Sequence, residues 1–507
     1  MKNLSLRQCT ISMAGLLLVI FLTSCEDNFL EPVPQTFEST QNFFESNDQF
    51  IQAVDGAYAR MQEWVLQAHI LEEMRSDNTT HDQQLTKGVT RSLARPDWFI
   101  MDAAEPELEN AWDAIYTGIK DANVPLSEIE NGIETGNLDQ ELGRRLEGEL
   151  KFLRAFFYFT AVRFWGDVPL LLEPLTGGLQ AFETEQSPKS EVFETIISDL
   201  TEAEAALPEN YTGSNLGRAT RGAAKTLLAK VYLRRGNYAE AEQKLREVIN
   251  SNQYSLLQNY ADIFDPQNKY HSESIFEVSF KQGDEGESSN FLYQFAPVGS
   301  FPEIVPVEVG SWGRNLPTRQ LVAAYEEDDI RKEVSIGFFD RFDIDQVPYI
   351  TKWSEATDQN FARQNHNWPL LRYADVLLML AETINEQGYD TGQPFDLLNQ
   401  IRTRAGLSSL TPTDLPDQEA FRNALLHERR VELAFENHRW HDLVRFEMAV
   451  EKMNAHGKLL KENPPTPFTS VNPLDPNAYN VESFMILYPI PENELLTNPN
   501  MVQNAGY

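Results

Sequence analysis

Between residues 225 and 250 small and large side chains alternate at helical spacing, and no other feature limits the possible folds as tightly. Leu228, Ala229, Tyr232, Gly236, Tyr238, Ala241, Leu245 and Val248 lie on the facing sides of two short helices, with a turn at Gly236-Asn237-Tyr238. Small residues at the crossing let antiparallel helices approach, and the large ones fill the gaps beside them. A pair of this kind cannot bury its apolar face alone, so it must stack on further pairs.

This is the spacing of a tetratricopeptide repeat, although an unrelated helical hairpin would share the local pattern. Weaker versions occur at 148–165 and at 373–404, where Ala381 and Gly388 keep the spacing and Ala405-Gly406 follows. Residues 47–62 predict another helix, opened by Asn47 or Asp48 as cap, with Phe50, Ile51, Val54, Ala57, Tyr58 and Met61 on one face. Residues 145–165 predict one more, with Leu150, Leu153, Phe157, Ala161 and Phe164 on one side and Gly166-Asp167-Val168-Pro169 as its stop. Residues 280–318 differ, because glycine and proline recur there among aromatics, as in loops or short strands. Ser274 to Phe280 alternates as a strand does. The expectation is a mostly α chain of tetratricopeptide-like pairs carrying an irregular, loop-rich part.

The N-terminus predicts export. Lys2 and Arg7 precede an apolar run from Ile11 to Leu22, which is too short for a stable membrane span and reads as a signal-peptide core. It ends in Leu22-Thr23-Ser24-Cys25, similar to a bacterial lipobox, in which the cysteine sulfur carries diacylglycerol and the cysteine becomes the new N-terminus. Residues 26–41 are polar with two prolines and read as a tether. The only other cysteine, Cys9, lies in the segment to be removed, so the mature chain has no disulfide and depends on its core. A formal net charge of −35 excludes nucleic acid as a partner and disfavours anionic lipid headgroups.

Several segments now resemble one family when taken in order. They are Cys25-Glu-Asp-Asn-Phe-Leu-Glu, Asn42-Phe-Phe-Glu, Gly56-Ala-Tyr, Lys151-Phe-Leu-Arg-Ala-Phe-Phe-Tyr-Phe with Gly166-Asp-Val-Pro-Leu, and Gly217-Arg-Ala-Thr-Arg-Gly-Ala-Ala-Lys. Arg372-Tyr-Ala-Asp-Val-Leu-Leu, Ile401-Arg-Thr-Arg-Ala-Gly-Leu, Glu428-Arg-Arg-Val-Glu-Leu-Ala-Phe-Glu-Asn-His-Arg-Trp-His-Asp-Leu, Tyr488-Pro-Ile-Pro-Glu and Asn498 to Tyr507 follow. Together they resemble the SusD/RagB family of outer-membrane nutrient-binding lipoproteins, departing from it at Asn437, where glycine is usual, and at Ala505, where proline is usual. The resemblance implies about four helix pairs, no cofactor, no catalysis, and a place on the outer face of the outer membrane. It implies capture of poly- or oligosaccharide and its delivery to a SusC-like TonB-dependent transporter. It also suggests a division into 1–24 (signal peptide), 25–41 (tether), 42–270 (N-terminal helical part), 271–370 (loop-rich insert) and 371–507 (C-terminal helical part), packed as one unit. A peptide-binding or interaction scaffold on the same repeats is the alternative.

Motif reading finds no enzyme signature. There is no serine elbow, phosphate-cradling glycine loop or dinucleotide fingerprint. His427-Glu428 lacks the second histidine of a zinc-protease motif, because Val431 stands in its place. His438 and His441 are one turn apart, but such pairs are more often polar decoration than metal ligands. Asp340, Asp343 and Asp345 lack the glycine and terminal glutamate of a calcium loop. Sugar rings stack their CH faces on aromatics while amides and charged groups bond their hydroxyls. Two stretches offer that mixture: 75–98, with Arg75, Asp77, Asn78, Arg91 and Trp98, and 291–315, with Phe291, Tyr293, Trp312, Arg314 and Asn315. None belongs to the family's shared motifs, so none is carried over from it. A neutral glycan is expected, although Arg75, Lys87, Arg91 and Arg95 form a local basic excess that would suit an acidic one. Trp112, Trp165 and Trp440 read as core, and Arg429, Arg430 and Glu432 as structural ion pairs.

Overall fold

The computed structural model describes residues 43–81, 93–175, 177, 180, 182–283, 287–306, 311–341, 344–355, 358, 361–463 and 474–507. The expected signal segment, Cys25 and the expected tether lie outside them.

Among the described residues ten principal helices carry the fold: α1 (Asn47–Ala68), α2 (Pro106–Thr135), α3 (Gln140–Trp165), α4 (Lys189–Ala206), α5 (Arg221–Arg235), α6 (Tyr238–Asn250), α7 (Tyr373–Gln387), α8 (Gln393–Arg404), α9 (Gln418–Glu432) and α10 (Ala449–Glu462). Helices α1/α2, α3/α4, α5/α6 and α7/α8 pack as four pairs, and α2/α3, α4/α5 and α6/α7 join each pair to the next. This is the tetratricopeptide-like stack that the spacing predicts.

The α5/α6 hairpin shows why its residues are small. Ala229 and Ala241 are both fully buried where the helices meet, and Gly236 ends α5 at φ +75°, a conformation that disfavours a Cβ. The α2/α3 crossing is closer still. A Cβ at Gly118 would lie 2.4 Å from the Phe157 ring, so glycine is required there. Trp112, Trp165 and Trp440 are buried, as expected. At the start of α1 neither expected residue caps. The cap position is Ser46, and Asn47 instead donates to Asp139 at 2.6 Å and accepts from its backbone at 2.9 Å, tying the first turns of α1 and α3 together.

Among the described residues strands are few and short. Four antiparallel pairs form: β1 (Thr79–Thr80) with β5 (Leu316–Pro317), β2 (Val168–Pro169) with β3 (Gln186–Ser187), β4 (Ser274–Val278) with β8 (Trp368–Arg372), and β6 (Ile336–Arg341) with β7 (Ile344–Ile350). Strand β4 is the one read from alternation, whereas the β6/β7 hairpin was not anticipated. Asp340, weighed as a calcium ligand, instead accepts from the Gln346 backbone and side chain across that hairpin, both at 3.0 Å.

A buried ionic lattice joins the C-terminal helices to β4 and β8. Arg372 binds Glu273, Glu432 and Glu436, Arg404 binds Glu273 and Glu432, and Arg331 binds Asp329, Glu428 and Glu432. Arg429 holds Asp375 and Asp442. Arg429 and Glu432 therefore serve as structural pairs, and Arg430 joins them by binding Asp77.

Candidate functional site

The loop-rich face is built on a rigid aromatic floor. Phe291 and Phe295, one helical turn apart, pack on Trp353, and Phe291 also meets Trp368; the two indoles stack at 4.8 Å and 9°. Gln364 holds this floor in place. Its carbonyl accepts from the Leu292 backbone at 2.7 Å, and its amide donates to Trp353 and Glu355 carbonyls at 2.9 Å.

Above the floor sits a small second core of Leu292, Tyr293, Ala296 and Val305, with Ile304 and Ala362 against it. The Tyr293 hydroxyl donates to the carbonyls of Asp358 at 3.3 Å and Phe361 at 3.4 Å. Residues 312–314 are clamped by their backbone: Trp312 N–H donates to Tyr293, Gly313 to Ala296 and Arg314 to Gln294, at 2.8–2.9 Å. The Trp312 and Arg314 side chains are thereby held half-buried at the surface, with the guanidinium carbon 5.0 Å from the indole centroid. Phe361 is 53% exposed and carries Arg363 over its ring at 4.6 Å, and Phe301 is 43% exposed on the loop that leads to Val305. Three accessible rings, two of them backed by arginines, are thus mounted around one small core.

His69 and His81 are buried within reach of the Arg314 charge. Burial, then the Arg314 charge, holds both well below the usual imidazole range, His81 at about 3, so neither carries charge at neutral pH. Burial also lowers Arg314 itself, with Glu107 opposing the shift.

The structure places the ten candidate ligand residues in different roles. Trp312 and Arg314 are accessible and lie together, and Arg91 falls outside the described residues. The remaining seven are interior, which corrects the expectation of exposed contacts. Arg75 is 2% exposed; it donates to the carbonyls of Pro96 at 2.8 Å and Met485 at 2.7 Å and lies 3.9 Å from the Phe99 centroid. Asp77 takes a two-pronged grip from Arg439 at 2.8 and 3.1 Å. Asn78 bridges Glu73 and Arg430. Trp98 is 2% exposed, in a buried cluster with Phe99, Trp440 and Tyr479, and Phe99 closes its helical turn at φ +58°. Phe291 belongs to the floor and Tyr293 to the second core. Asn315 is fully buried at φ +55°, and its amide has no hydrogen-bond partner among the described residues.

The basic excess dissolves in the same way. Arg75 is interior, Arg95 binds Glu105 at 2.5 Å and Asp102 at 2.9 Å, and Lys87 lies outside the described residues. The two stretches do meet, however: β1 pairs with β5, and Thr318 N–H donates to the Asn78 carbonyl at 2.8 Å. The first stretch supports the second from below. Sequence reading missed Phe301, Phe361 and Arg363; the signal was present in Phe361-Ala362-Arg363-Gln364-Asn365, aromatic, basic and amide residues without periodicity.

Two family models match. One, described as the SusD family, covers residues 339–507, and the other, described as starch-binding associating with outer membrane, covers 28–233. A SusD-like protein of Formosa agariphila is 28% identical over 97% of this chain and 98% of its own length. The starch-binding protein SusD of Bacteroides thetaiotaomicron is 25% identical over 72% of this chain and 73% of its own. Among solved structures, a laminarin-binding SusD-like protein superposes with a TM-score of 0.76 at 25% identity, covering 91% of this chain and 100% of that one. With two models matching in order at either end and relatives aligned nearly end to end, the chain belongs to the SusD/RagB family.

Proposed function

We propose that this protein captures a neutral poly- or oligosaccharide on the face around Trp312, holds it without cleaving it, and passes it to a SusC-like TonB-dependent transporter. In this reading it stands on the outer face of the outer membrane, anchored through Cys25, and the 271–370 insert carries the binding face. The observation that carries the proposal is the cluster of ring–guanidinium pairs, Trp312/Arg314 and Phe361/Arg363, fixed around one small core. Such pairs offer flat apolar faces for sugar CH groups, with donors at the rim for hydroxyls, on a platform that needs little ordering on binding. The laminarin- and starch-binding names of relatives support the ligand class. The net charge of −35 supports a neutral glycan over a polyanion.

The test is affinity electrophoresis and calorimetry against laminarin and a panel of neutral and acidic polysaccharides. Trp312→Ala should weaken binding by roughly 2- to 13-fold, the factor equivalent to an aromatic contact of about 0.5–1.5 kcal/mol. Affinity should barely change with salt, and no reducing ends should appear. Binding that survives loss of both Trp312 and Phe361, or that falls steeply with salt, overturns the assignment; retained peptide binding without glycan binding replaces it with the scaffold reading.

A further inference from the structure

The helical scaffold holds a second polar feature, remote in composition from the ring platform. A cavity of about 70 Å³ opens between α1, α3, α5 and the segment 438–445. A buried water needs roughly 10–15 Å³ of such volume, so the space accommodates about five heavy atoms, the size of a tetrahedral oxyanion. Its lining residues Arg163, Lys230, His438, His441 and Arg445 each retain 11–18% side-chain exposure, so solvent reaches it.

The charges around this cavity do not balance as they do elsewhere. Arg429 and Arg445 are matched by Asp375, Asp442 and Glu382, and Lys230 donates to Asp375 at 2.6 Å. Glu436, on the inner wall, is held by Arg372 and Lys352. Two arginines remain. Arg163 reaches Glu72 only at 3.4 Å, and Glu72 is also claimed by His441 at 3.1 Å. Arg234 has no hydrogen bond or ion pair to any described residue. Burial lowers Arg163 to about 10; Glu72 opposes that shift and the charge of Arg234 adds to it, so the two guanidiniums repel each other in the same space. His438 and His441 stay neutral: burial pushes both down, His438 to about 3. In a chain with 77 acids against 42 bases, these two guanidiniums line one cavity with a single carboxylate, Glu72, which His441 also binds, and that leaves room for a further counter-charge.

We propose that this cavity binds a small oxyanion, sulfate or carboxylate, between Arg163 and Arg234. The oxyanion arrives either as a free ion or as a substituent on a sugar. Calorimetric titration of the intact protein with sodium sulfate and, separately, with glucose 6-sulfate at constant ionic strength distinguishes the two. Saturable heat from both indicates a free-ion pocket; heat from the sugar sulfate alone indicates a substituent pocket. Arg234→Gln, at a half-exposed position without a partner, should weaken either titration roughly tenfold or more, the value of one charge-assisted contact. The same variant should melt higher than the parent in dilute chloride, because a repulsion is removed, and should lose the extra stabilisation that sulfate gives the parent over chloride. Absence of saturable heat from both ligands, or equal sulfate stabilisation of parent and variant (the general salting effect alone), overturns the proposal. Trp312→Ala should leave these titrations unchanged, so failure here and failure of the glycan platform are read separately.

Discussion

Replacing Glu432 by glutamine should be among the most damaging conservative substitutions available in this chain. Glu432 is fully buried at the end of α9 and accepts from Arg404 at 2.5 Å, and from Arg372 and Arg331 at 3.1 Å each. The amide keeps the volume, but it removes the charge and turns an N–H₂ toward guanidinium donors. Arg331 and Arg372 retain other acids, and Arg404 retains Glu273, so the lattice is left with one uncompensated positive charge rather than three. Breaking one buried pair costs about 3–5 kcal/mol, and that is the expected loss at pH 7. The pH dependence follows from the carboxyl. Burial pushes its pKa up, but Arg404, Arg372 and Arg331 outweigh burial and hold it well below the ordinary range. An unfolded glutamate titrates near about 4.3, so this contribution is complete above that value and is lost as pH falls through the folded pKa. Urea midpoints compared at pH 7, 5 and 3 should show a constant gap between parent and variant at the first two, narrowing at the third. A loss under about 1 kcal/mol at pH 7, or a gap that persists in acid, would refute the reasoning.

The other predictions follow from local geometry. Cys25→Ala should abolish lipidation and release the protein from membranes; labelled fatty acid on the variant contradicts the lipobox. Ala241→Phe should overpack the α5/α6 contact, where Ala241 is fully buried, and cost about 1–3 kcal/mol in thermal or urea denaturation. Trp98→Ala should cost about 3–5 kcal/mol through the cavity left in the buried cluster it shares with Phe99, Trp440 and Tyr479, while binding per folded molecule stays unchanged; a stable variant with lost glycan affinity would return Trp98 to the binding face.

What could be read from the chain alone was whatever is encoded within one or two turns. Ala229, Gly236 and Ala241 announce the helix pair because their spacing is local, and the same holds for Leu150, Phe157 and Phe164 in α3. The β6/β7 hairpin escaped notice because its alternation is broken by a register shift between Phe339 and Arg341. The candidate residues of 75–98 misled for a different reason. Arginine, aspartate and asparagine in a non-periodic stretch look like surface, and only partners more than 350 positions away reveal Asp77 and Asn78 as interior. Trp312 and Arg314 were found by composition, and their exposure comes from a backbone clamp to Tyr293 and Gln294 that composition does not encode.

The distribution of charge links the fold to the binding face. A chain this acidic has few arginines to place, and the structure commits many of them to buried carboxylates, where a missing partner costs several kcal/mol. An arginine set over a surface ring therefore needs a reason. Arg314 and Arg363 lie over aromatic rings, an arrangement that keeps a flat apolar surface in place and leaves N–H donors at its rim. Arg163 and Arg234 instead line one cavity, where Arg163 lies over the Phe159 ring and shares Glu72 with His441 while Arg234 has no acid of its own among the described residues. The two arrangements predict opposite salt responses in one molecule. Ligand held by ring stacking and neutral hydrogen bonds is little screened, whereas an oxyanion held between two guanidiniums weakens as ionic strength rises. A salt series on glycan and on sulfate binding, run on the same preparation, should therefore give one flat line and one falling line, and two parallel lines would mean that the same groups govern both.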